Sequence, residues 1–243
     1  ATNRTVIWTV SPSGYATVAG GKVTAVQAGS CKVTATAGGK SASCAVTVEE
    51  AETAELLYTL PGETVISASS GTCLNTGLKL LEHASTETPQ YTILLEAKGG
   101  DSLDANKWPD LVHCLTETGN TSNLPGFSAC TYPTDGKTHF AYYSFGFDDA
   151  ILCDTVEHAK TKIRYVIQLD GTKFRVGSTC CTLSAWKQTQ ATISDVPQTF
   201  LIGAAQNADG TTKQQFWDGT IYQCKVYKGL LSDSKVQSFI GGD

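Results

Sequence analysis

The chain is 243 residues long, 41% hydrophobic and 17% charged, with a net charge of −5. That composition belongs to a globular protein with room for two modest domains, each with its own core. An acidic balance without a basic run argues against a nucleic-acid partner, and the longest apolar stretches, such as 91–95, are too short to span a membrane.

The sequence contains no methionine, so the polypeptide is expected to be processed or truncated ahead of Ala1. Residues 5–48 then read as four short alternating strands. They are a W-T-V strand at Trp8, a hairpin at 15–26, a strand at 28–37 and a closing C-A-V-T-V at 44–48. Gly20-Gly21 and Gly38-Gly39 supply the positive φ angles of tight two-residue turns. Alternation puts Val23 and Ala25 opposite Lys22 and Thr24, and Val33 and Ala35 opposite Lys32 and Thr34. Cys31 and Cys44 share the inward phase of Val33 and Val46. This segment resembles the group 2 bacterial immunoglobulin-like domain. The resemblance implies a core position for Trp8 and a place on a bacterial or bacteriophage surface. It also implies two further strands ahead of Trp8. The first domain, 1–49, is therefore expected to lack its first strands and to receive them from a preceding segment or from another chain by strand addition.

The run 49–55 (E-E-A-E-T-A-E) is acidic and has no aromatic residue, which places a linker at 50–55. From residue 56 the pattern returns to strands, expected at 56–60, 78–81, 91–97, 111–116, 126–131, 138–147, 162–169, 173–176, 200–204 and 220–227. The turns Asp135-Gly136, Asp170-Gly171, Asp209-Gly210 and Asp218-Gly219 punctuate them. One helix is expected after Ser232, with Leu231 stapled to Val236, Asp233 at the positive end of the dipole and a stop at Gly241-Gly242. The fold class is all-β: a partial immunoglobulin-like sandwich, then a two-sheet jelly roll over 56–243.

Four segments of the second domain carry a further resemblance: N-T-G-L-K-L at 75–80, K-I-R-Y-V-I-Q-L-D-G-T-K-F at 162–174, L-I-G-A-A at 201–205 and F-W-D-G-T-I-Y-Q-C-K-V-Y-K-G-L-L-S-D at 216–233. Together they resemble the concanavalin A-like lectin/glucanase superfamily, its laminin G-like branch in particular. That architecture hosts unrelated functions, so function has to come from the site.

Some members of the superfamily are glycoside hydrolases, which need two carboxylates flanking one bond. The Glu-x-Asp-x-Glu triplet of the glucanase branch does not occur here. Asp148-Asp149, followed by Asp154, reads as a solvated turn or as a calcium loop. Calcium on Asp148 and Asp149 is the single cofactor the pattern admits. His83, His113, His139 and His158 sit in no catalytic motif, and no nucleophile elbow, H-E-x-x-H or phosphate loop appears. The nine cysteines form no C-x-x-C pair. This gives zinc little support and leaves buried thiols, or a disulfide framework, as the alternatives.

Aromatic residues offer a route to sugar binding, because C–H faces of sugar rings stack on them. The candidates are Trp108 and Trp186 in polar segments, the neighbours Tyr142 and Tyr143, of which one should face outward, and Trp217 beside a turn. Each could instead cover the edge of a core. The leading expectation is a non-catalytic surface recognition or adhesion module of a bacterial or phage surface protein. Its partner would be a glycan or a surface protein of a host cell. The alternatives are a decoration or fibre subunit of a virion or surface assembly, with homo-oligomer or virion partners, and a glycoside hydrolase.

Overall fold

The structure is a computed structural model that describes residues 5–49, 53–115, 126–142, 150–189, 195–206 and 212–242. The protein is all-β with one short helix near its C-terminus. It divides into two compact units, Ala1–Glu52 and Thr53–Asp243.

The first unit contains β1 (Ile7–Ser11), β2 (Ala16–Ala19), β3 (Lys22–Ala25), β4 (Gly29–Ala37) and β5 (Lys40–Val48). Strands β1, β4 and β5 form one antiparallel sheet, and β2–β3 is a separate hairpin. Both double-glycine turns have positive φ at both positions, which matches the twist of a tight hairpin. The register pairs Trp8 with Ala35, Val10 with Val33 and Val33 with Cys44, so these side chains share one face. The hairpin covers part of that face. A Cβ on Gly21 would come within 3.1 Å of Trp8 Cζ2, so the glycine makes room for the indole. Cover stops short of β5. Cys31 is buried, whereas Cys44 is exposed although it has the inward phase, because nothing among the described residues lies over it. Trp8 is half-buried rather than fully in a core.

The second unit opens with β6 (Glu55–Thr59), which begins inside the segment expected to be a linker, β7 (Thr64–Ile66) and β8 (Leu74–Asn75). Then come β9 (Gln90–Gly99), β10 (Asp110–Leu115), β11 (Gly126–Thr131), β12 (Thr138–Tyr142) and β13 (Ala150–Cys153), followed by a one-turn helix α1 (Val156–Ala159). The chain continues through β14 (Ile163–Asp170), β15 (Lys173–Ser178), β16 (Lys187–Gln188), β17 (Leu201–Ile202), β18 (Ala205–Gln206), β19 (Lys213–Gln214) and β20 (Gly219–Lys228), ending in α2 (Asp233–Gly241). A seven-stranded sheet has the order β16-β15-β14-β9-β20-β6, with β7 also on β20. A six-stranded sheet has the order β13-β12-β11-β10-β17-β8.

One dry core lies between these sheets. Ile93, Leu95, Ile167, Phe174 and Val226 from the larger sheet meet Val112, Phe127, Phe140, Tyr142 and Leu152 from the smaller. The Phe140 and Phe174 rings bridge the layers at 5.4 Å between centroids. The outer face of the larger sheet carries α2, where Leu231 and Val236 pack on Leu94 and Val166. Ser232 holds the N-cap position without a side-chain capping bond, and Gly242 closes the helix in the left-handed region. Beneath α2, Gln168 Nε2 donates to Thr92 Oγ1 (3.0 Å) and Leu231 O (2.9 Å), and Arg175 Nε donates to Gln168 Oε1 at 2.7 Å.

Residues 78–81 are not a strand. Leu80 and Leu81 are buried in a turn, and a single bridge joins Leu81 to Val196. The strand expected at 200–204 shortens to β17 because Gly203 turns the chain at φ 85°. Residues 143–147 lie outside the described residues.

Candidate functional site

The chemistry of the second unit gathers around β10 and the turn before it. Asp104 opens a single 3₁₀ turn, Ala105–Lys107, by accepting hydrogen bonds from Asn106 N (3.0 Å) and Asn106 Nδ2 (2.9 Å). Trp108 ends that turn with φ 52°, in the left-handed region. Gln215, on the segment packed beside it, has φ 50°. Two non-glycine residues in this region mean local strain, which persists only where the surroundings enforce it. Asp110 supplies the enforcement. Its backbone N–H donates to Gln215 O at 2.9 Å, and it bridges to Phe216.

The Asp110 side chain points into the six-stranded sheet's outer face, where His113 Nδ1 donates to Asp110 Oδ2 at 3.0 Å. In a regular strand, residues three apart face opposite ways. A β-bulge between Asp110 and Val112 resets the phase and brings this pair onto one face. Both residues are almost fully buried, and His113 Nε2 has no hydrogen-bond partner among the described residues. The pair is a buried bolt behind the 104–110 turn.

Phe216, bridged to Asp110, also lines an open hollow of about 440 Å³, whose other walls include Asp104, Lys107, Gln215 and Asp218. Asp218 Oδ1 accepts from Ala68 N at 3.3 Å, and Gly100 N donates to Asp218 O at 2.8 Å, so the loops at 67–72 and 99–103 complete the rim. An aromatic strip starts at Trp108, the residue after Lys107. Trp108 meets Tyr132 edge-on at 5.1 Å between centroids, and Tyr132 meets His139 at 4.6 Å. His139 Nε2 is 2.9 Å from Asp135 Oδ2. The hollow therefore combines one apolar ring with carboxylates, an amide and an ammonium group. A second hollow, about 300 Å³, is walled by Glu55, Glu82, Glu87, Tyr91 and Lys228 and is richer in acid.

The aromatic residues singled out by the sequence separate. Trp108 stands in the strip. Trp186 is 37% exposed but lies on the outer face of the other sheet, beneath the Arg175 guanidinium at 4.7 Å. Trp108 and Trp186 thus belong to different surfaces. Tyr142 and Trp217 are core residues, not surface platforms: Tyr142 is fully buried with its hydroxyl donating to Gly171 O at 2.7 Å, and Trp217 is 2% exposed. Alternation required one of Tyr142 and Tyr143 to face inward without saying which, and it did not bear on Trp217. Tyr143 and the calcium candidates Asp148 and Asp149 lie outside the described residues. Phe216, Gln215, Asp104, Asp110 and His113 carried no sequence signal beyond their residue types.

The thiols differ sharply. Burial pushes Cys114 and Cys224 up to about 12 and raises Cys130, which makes them inert. The neighbouring Cys153 thiol holds the Cys180 thiol below its usual range. Among the described residues, no helix is long and apolar enough to cross a membrane.

No protein-family model matches the sequence, and no curated protein matches it. Among solved structures, the chain is similar to the carbohydrate-binding module CBM40 of the Ruminococcus gnavus IT-sialidase. The TM-score is 0.54 at 17% identity, over 75% of this chain and 98% of that one. It is also similar to a leech intramolecular trans-sialidase complexed with 2,7-anhydro-Neu5Ac. There the TM-score is 0.55 at 17% identity, over 79% of this chain but 29% of that one. At this identity the likeness is one of fold, the two-layer β-sandwich.

Proposed function

We propose that the second unit is a non-catalytic glycan-binding module, carried with an immunoglobulin-like spacer on a bacterial or phage surface protein, and that the 440 Å³ hollow is its binding site. One observation carries the reading: Phe216, Gln215, Asp104, Asp218 and Lys107 converge on a single open hollow. A sugar ring needs an apolar face to stack on and fixed donors and acceptors for its hydroxyls, and this set provides both. The Trp108–Tyr132 strip extends the surface for a second residue of an oligosaccharide. The similarity to a carbohydrate-binding module supports the same class of ligand.

Both carboxylates of the hollow already accept hydrogen bonds that shape its loops, which favours recognition over acid–base chemistry. The test is a glycan array followed by calorimetry on the hits, using the full chain. Phe216→Ala and Asp218→Asn are expected to weaken binding at least about tenfold, the cost of a lost stacking face or charged hydrogen bond. Trp186→Ala should leave binding unchanged. Absence of any glycan ligand would overturn the reading, and so would loss on Trp186→Ala alone. Release of new reducing ends from the bound glycan, abolished by Asp104→Asn or Asp218→Asn, would establish a hydrolase instead.

A further inference from the structure

The two sheets of the second unit meet at an edge far from that hollow in sheet order. β13 is the outermost strand of the six-stranded sheet, three places from β10, and it ends at Cys153, with Asp154 next in the chain. Cys180 lies in the turn just after β15, one place in from the edge of the seven-stranded sheet. The chain separates Cys153 from Cys180 by a helix and two strands, yet the fold brings them together. Cys153 Sγ, a carboxylate oxygen of Asp154 and Cys180 Sγ all lie within 4.8 Å of one another. Cys181 Sγ is 4.0 Å from Cys180 Sγ. His158 Nδ1 is hydrogen-bonded to Asp154 Oδ1, which orients that carboxylate.

A tetrahedral zinc ion holds thiolate sulfur at about 2.3 Å and carboxylate oxygen at about 2.0–2.2 Å, so its donors stand roughly 3.5–4 Å apart. The three donors here would close onto such an ion with small side-chain adjustments. Thiolate sulfur selects zinc and other first-row transition ions over calcium and magnesium, which prefer all-oxygen shells. A histidine hydrogen-bonded to a ligating carboxylate is the outer support such sites use.

We propose that Cys153, Asp154 and Cys180 form a site for a divalent transition-metal ion, zinc being the best match. Its fourth position is open to Cys181 or a water molecule. The ion would clasp the edge of one sheet to the other. On binding, the two thiols release their protons to solvent and each sulfur donates an electron pair to the ion, with no change of oxidation state.

The test uses the reduced full-length chain and cobalt(II) as a spectroscopic probe. The expected result is a thiolate-to-cobalt charge-transfer band that saturates at one ion per chain, disappears when zinc is added, and is accompanied by a higher thermal midpoint. The band should persist in Cys44→Ser and Cys73→Ser and be lost in Cys180→Ser. Folding of Cys180→Ser is checked by its metal-free circular dichroism. Asp154→Asn, a change at a half-buried edge position, should fold normally and bind cobalt about tenfold or more weakly. Three outcomes would overturn the site: no band in the reduced chain, a band indifferent to Cys180→Ser and Asp154→Asn, or a chain two mass units lighter whose Cys153–Cys180 disulfide re-forms in preference to metal binding.

Discussion

Trp8 lies in β1, and Trp217 lies just before β20, beside the Asp218-Gly219 turn. Trp217 is 2% exposed and belongs to the core cluster that joins two sheets. Trp8 is half-buried, with a hairpin over part of its sheet and open surface beyond. The same contrast runs through the units. In the first, Ala16, Cys31 and Val33 are the buried apolar residues, while Val6, Ile7, Val23 and Val26 are exposed. In the second, phenylalanine and tyrosine rings from both layers interlock at 5.4–6.0 Å between centroids. Binary patterning specifies strands equally well in both, but stability depends on what faces each strand once it has formed.

Substitutions can break this comparison in descending order. Trp217→Ala should cost about 3–5 kcal/mol, the usual range for removing a buried aromatic, read as a lower urea midpoint for the second unit's transition. Asp110→Ala should cost roughly 2–3 kcal/mol by leaving His113 Nδ1 buried without an acceptor. It should also loosen the Gln215 and Phe216 wall of the hollow, whereas Asp110→Asn, which keeps an acceptor oxygen, should recover about half of the loss. Trp8→Ala should cost about 1 kcal/mol, since a half-buried side chain forfeits roughly half the 1.5–3 kcal/mol of a fully buried one. A Trp8 effect as large as that of Trp217 would mean that the first unit's sheet is covered in solution.

Strands that alternate over a long run could be read directly. Gly126–Thr131 matches its predicted span at its C-terminal end, and β9, β14, β20 and α2 match to within two residues at either end. Two-residue strands such as β8, β16 and β17 are too short to show a period, and they exist because neighbouring strands hold them. The site was harder to read for three physical reasons. Its walls come from loops widely separated in sequence, so no local motif spans them. The Asp110–His113 contact depends on a bulge that no residue type announces. The sequence context of Tyr142 and Trp217 admitted a surface or a core-edge place, and what buries them is a tertiary neighbour. Trp108 was visible as an aromatic in a polar loop, but its left-handed backbone was not.

The smallest expected effect separates the units by charge. Among the described residues every ion pair belongs to the second unit. The pair that ties α2 to its sheet is Arg175 with Asp233, and the Arg175 hydrogen bond holds the Asp233 carboxyl below its usual range. A carboxyl whose folded pKa is depressed takes up protons more readily when unfolded, so it stabilises the fold above its unfolded value near pH 4. That contribution is lost as pH falls through the folded value. Asp233 is 75% exposed, so solvent screening keeps the contribution under about 1 kcal/mol. Wild type should exceed Asp233→Asn in urea midpoint at pH 6, and the gap should narrow in high salt and close below pH 3. The first unit's transition should not respond to this substitution at any pH. A gap that survived acid unchanged would show that Asp233 acts through packing on Arg175 rather than through its charge.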